Sequence, residues 1–130
     1  MENDALKKGG GKTETLSSHS LAKLTGQVVL CDVETEKVSV HVVAEFDGAK
    51  LTISGQDCGT YPEEFWGDDD YEYWYYFDEQ NTSRLLQKIC EHTSNPLIAL
   101  KDNFNGLDGC QKLREYCDSL GIEYHFDSWI

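Results

Sequence analysis

Residues 38–54 read VSVHVVAEFDGAKLTIS, and the fold turns on this stretch. Val38, Val40, Val42, Ala44 and Phe46 alternate with Ser39, His41, Val43 and Glu45. That period of two is a strand with one face toward a core. Asp47-Gly48 follows at once and is a strong hairpin signal, because a two-residue turn needs left-handed backbone that glycine adopts without penalty. Lys50 to Ser54 is the return strand, with Leu51 and Ile53 on one face and Gly55 and Gly59 ending it.

Working outward, Val28 to Val33 is a short β-branched run and a strand of its own. Pro62 marks a loop after the hairpin, and Tyr71 to Phe77 is an almost wholly aromatic fourth strand. Helices follow. Asp78 is an N-cap for a helix running to about His92, with Leu85, Leu86 and Ile89 as its apolar stripe. Asn95-Pro96 starts a second helix, whose inner face is Leu97, Leu100 and Phe104. Asp108 caps a third, with Cys110, Leu113, Cys117 and Leu120 buried and Gly121 closing it. Ile122, Tyr124 and Phe126 then alternate with Glu123, His125 and Asp127 as a closing strand. The order predicts an α+β fold: an antiparallel sheet of four to five strands, an N-terminal meander plus a C-terminal strand, with two to three helices packed on one face.

Residues 1–22 carry Gly9-Gly10-Gly11, several lysines and a serine run without apolar periodicity, which reads as a disordered tail. Residues 23–130 form the single α+β domain. Gly11-Lys12-Thr13 lacks the earlier glycine and preceding strand that a phosphate-binding loop requires.

The net charge of −13 and pI near 4.5 weigh against direct nucleic-acid binding, since Lys and Arg neutralising phosphates supply most of that affinity. The same charge disfavours anionic membranes and steers basic partners inward. Met1-Glu2-Asn3-Asp4 does not open like a secretory signal. Cys31, Cys58, Cys90, Cys110 and Cys117 are odd in number and scattered, which implies reduced thiols and a cytoplasmic location.

The unusual segment is Asp57 to Glu79, in which acids and aromatics interleave; no Lys or Arg occurs between Leu51 and Ser83. Strand geometry sends Tyr71, Tyr73, Tyr75 and Phe77 to one face and Glu72, Trp74 and Tyr76 to the other. Glu63, Glu64, Trp66, Asp68, Asp69, Asp70, Glu72, Trp74 and Tyr76 are therefore the candidate partner-binding residues. Aromatic rings supply desolvated contact area, while carboxylates supply steering toward a basic protein.

Rival readings use the same residues. The carboxylates at Asp68, Asp69 and Asp70 with Glu63, Glu64 or Glu72 suit a hard divalent cation, although EF-hand spacing is missing. A small enzyme would need carboxylates, His or Cys to converge in a pocket, and no nucleophile, zinc or dinucleotide motif supports it. A zinc site from Cys90, Cys110, Cys117 and a histidine would need assembly in space, whereas the seven-residue step from Cys110 to Cys117 is core spacing. A structural accessory subunit is the third alternative, marked by a large flat apolar patch. No cofactor is implied. In general character (small, strongly acidic, aromatic-rich, α+β) the chain resembles inhibitor or immunity proteins that neutralise a basic enzyme such as a nuclease. The expected function is accordingly an acidic protein-binding module.

Overall fold

The computed structural model describes residues 24–59 and 70–129. The tail, the Gly11-Lys12-Thr13 segment and the candidate residues Glu63, Glu64, Trp66, Asp68 and Asp69 lie outside them. Among the described residues, five strands and three helices follow in the order β1 (Gln27–Glu34), β2 (Val38–Asp47), β3 (Lys50–Gly59), β4 (Asp70–Phe77), α1 (Glu79–Ile89), α2 (Pro96–Phe104), α3 (Gly109–Leu120) and β5 (His125–Trp129). The strands make one antiparallel sheet in the order β1-β2-β3-β4-β5. The α+β class, the meander and the C-terminal strand thus stand as expected.

Alternation within the strands builds one buried face. Val42, Ala44 and Phe46 of β2 join Leu51 and Ile53 of β3 and Tyr73, Tyr75 and Phe77 of β4. Leu85, Leu86 and Ile89 of α1, Ala99, Leu100 and Phe104 of α2, and Leu113 and Cys117 of α3 close over them as a single core.

Local signals place the helices. Asp78 accepts from the Asn81 backbone N–H at 2.8 Å, and that bond holds its carboxyl below the usual range. The Asn95 side chain accepts from Leu97 N–H at 3.0 Å, with Pro96 in the first turn. Gly121 ends α3 in the left-handed region at φ 69°, and the Arg84 guanidinium of α1 donates to the Gly121 and Leu120 carbonyls at 2.9 and 3.3 Å. The fully buried Thr82 pins α1 to the hairpin: its hydroxyl oxygen accepts from Leu51 N–H at 3.1 Å and its O–H donates to the Phe77 carbonyl at 3.4 Å. Thr82→Val keeps the volume but orphans both buried backbone groups, so it is expected to cost about 1–3 kcal/mol, read by urea denaturation.

Several boundaries differ from expectation. The hairpin loop is Gly48-Ala49, one residue later than Asp47-Gly48, because Asp47 still pairs with Lys50. β3 continues through Gly55 to Gly59: Gly55 stays in the ladder because the Tyr73 ring lies over it, where a Cβ would collide. The first helix stops at Ile89, with Cys90 already out of helical conformation. Leu97 is only half-buried, and Ala99 joins Leu100 and Phe104 inside instead. Asp108 precedes α3 without a side-chain cap bond, and Leu120 is exposed on that helix's last turn. The closing strand starts at His125, so Ile122 is core without being strand.

Candidate functional site

The three described helices cover one face of the sheet, and the register assigns the residues of the other. Three cross-strand rows run over it: Gln27–Glu45–Thr52–Tyr76–His125, Val29–Val43–Ser54–Trp74–Asp127 and Asp32–His41–Gln56–Glu72–Trp129. Among the described residues these rows hold the carboxylates of Glu45, Asp127, Asp32 and Glu72 and neither lysine nor arginine. Lys50 stands at the hairpin end, beyond them and opposite Asp47.

The apolar content of this face is unusual for solvent. Trp129 is 68% exposed, Val29 45% and Tyr76 39%, while Trp74 and Val43 are half-buried between their neighbours. Tyr76 stacks on the His125 imidazole, with ring centres 6.1 Å apart. His41 Nδ1 lies 2.8 Å from Asp32 Oδ1 across the strand pair, so that histidine is a surface partner of a carboxylate rather than a base in a pocket.

Of the sequence candidates, Glu72, Trp74 and Tyr76 come together on this face along β4, beside the edge strand β5. Asp70 takes the register position opposite Cys58 at the start of β4. Reasoning from β4 alone missed Trp129, Asp127 and His125, which β5 brings alongside, and Val43, Glu45, Val29 and Asp32 from the far strands. The outward set of β2 was legible in its alternation; the contribution of β5 depended on which strand it would join.

Other chemistry finds less support. Burial raises the Cys110 thiol to about 11 and the Cys117 thiol to about 12, and it raises Cys31 and Cys90 as well. These four stay protonated at neutral pH and are poor nucleophiles. Among the described residues no three His, Cys, Asp or Glu side chains converge as a metal site. No helix among them is long and apolar enough to cross a membrane.

The fold and this face define a class: a helix-backed antiparallel sheet whose other side, among the described residues, is acidic and aromatic. No protein-family model, curated protein or solved structure matches the chain.

Proposed function

We propose that this protein is an acidic protein-binding module that engages a basic protein partner, in the manner of an inhibitor or immunity protein, through the open face of its sheet. The observation that carries the reading is the combination on one surface of Trp74, Tyr76 and Trp129 with Glu45, Glu72 and Asp127, in three rows that hold no lysine or arginine and leave Lys50 to the hairpin end. Tryptophan and tyrosine are the side chains that most often anchor an interface, and a single sign of charge selects the partner and speeds encounter. A basic enzyme such as a nuclease is the kind of partner this chemistry suits, since a chain of net charge −13 attracts it over long range.

The face spans about 24 Å across the strands and about 20 Å along them, roughly 500 Å² in projection. A standard footprint is about 800 Å² per partner. Contact therefore extends beyond the three rows onto their flanking turns.

The reading is tested by affinity capture from host lysate at low salt, alongside the Glu45→Gln/Glu72→Gln/Asp127→Asn variant. A basic protein is expected on the wild type, released by salt, and absent from the variant. Retention of the same protein by both chains would remove the open face from consideration.

A further inference from the structure

A cavity of about 250 Å³ lies on the helix side of the sheet, between α3 and the inner face of β4. Its floor is Tyr73, Tyr75 and Cys110, with Phe126 and Leu107 at the rim. Two charged groups face it. Tyr73 O–H donates to Asp57 Oδ1 at 3.1 Å, and Arg114 Nη1 donates to the Tyr75 hydroxyl oxygen at 2.6 Å.

The two charges occupy separate ends. Their tyrosine partners are two residues apart on β4, about 7 Å along the strand, and Asp57 itself is in register with Tyr71, further still from Tyr75. Among the described residues Arg114 and Asp57 form an ion pair neither with each other nor with any other group. In a chain with 24 acidic side chains, a guanidinium held by a phenol rather than a carboxylate is conspicuous. Tyrosine fixes its direction without neutralising its charge, and among the described residues four of its five N–H donors have no protein acceptor.

We propose that this cavity binds a small zwitterion with an apolar body, its carboxylate on Arg114 and its ammonium on Asp57. The guanidinium fork matches a carboxylate, and the second Asp57 oxygen, unbonded among the described residues, is an acceptor for an ammonium. The aromatic floor takes the body between them. The wider field bears on the choice as well: the acidic chain repels a simple anion, which an ammonium on the same ligand offsets. The size restricts the ligand to one ring or a short chain, since cavities for larger ligands exceed about 300 Å³.

The test is a titration of the full chain with 4-(aminomethyl)benzoate, followed by amide chemical shifts. Phenylacetate and benzylamine serve as probes carrying only one of the two charges. Saturable shifts are expected around Asp57, Tyr73, Cys110 and Arg114, with each single-charge probe at least about tenfold weaker. Arg114→Gln and Asp57→Asn should each weaken the zwitterion by a similar factor with the fold intact by circular dichroism. Asparagine still accepts the Tyr73 bond, so at least one variant is expected to fold. Absence of saturable shifts with the zwitterion, or affinity unchanged in a folded variant, overturns the proposal. The cavity lies on the side of the sheet away from the open face, so neither result bears on the protein-binding reading.

Discussion

Replacing Tyr75 with alanine is expected to lower the unfolding free energy by about 3–5 kcal/mol and the melting temperature by at least about 12 °C. The side chain is 1% exposed and packs its ring against Tyr73, Tyr124 and Phe126, with centres 6.2, 5.6 and 5.0 Å away. Truncation removes the transfer free energy of the ring and leaves a void that the rigid sheet below cannot fill. Tyr75→Phe separates the two contributions. It keeps the ring and removes only the oxygen that accepts from Arg114. Because Arg114 is exposed and water can replace that partner, the phenylalanine variant should lose about 1 kcal/mol. Thermal melts of both variants provide the measurement. An alanine variant as stable as the phenylalanine one would mean that the inner face of β4 is not core.

The neighbouring residue should behave in the opposite way. Trp74 is half-buried on the open face, beside Ser54 and Asp127. Trp74→Ala is expected to change stability by less than about 1 kcal/mol, as for substitutions outside a core. Its effect on the captured partner should be at least about 2 kcal/mol, a weakening of about thirtyfold. That loss should come mainly from faster dissociation, since truncating an anchor removes contact area without altering the long-range field. Neutralising Glu45, Glu72 and Asp127 should instead slow association and flatten its dependence on salt. Surface-binding kinetics with both variants distinguish these outcomes. A Trp74→Ala chain that unfolds as readily as Tyr75→Ala, or that binds with wild-type dissociation, would remove Trp74 from the proposed anchor set.

These two predictions rest on adjacent residues of one strand. The alternation in Tyr71 to Phe77 is readable without coordinates, because successive side chains of a strand must point to opposite sides. The β2–β3 hairpin was equally legible, since period two on both sides of a glycine turn admits little else. So were Asn95-Pro96 and Gly121, whose backbone requirements are local. Local rules erred where a distant group intervened. Gly55 reads as a strand end, yet the Tyr73 ring packed over it keeps it in the ladder.

The sequence by itself determined the elements, the two faces of each strand and the excess of negative charge. Only the tertiary structure decided that the described helices pack on the face opposite Trp74, and that β5 lies beside β4 and sets Asp127 and Trp129 next to Trp74 and Glu72. It alone brought Arg114 of α3 to Tyr75, 39 residues away in the chain. The physical reason is the range of the forces. Alternation, capping and turn chemistry act between residues a few positions apart, whereas strand order and helix placement depend on how the whole apolar surface is most completely removed from water.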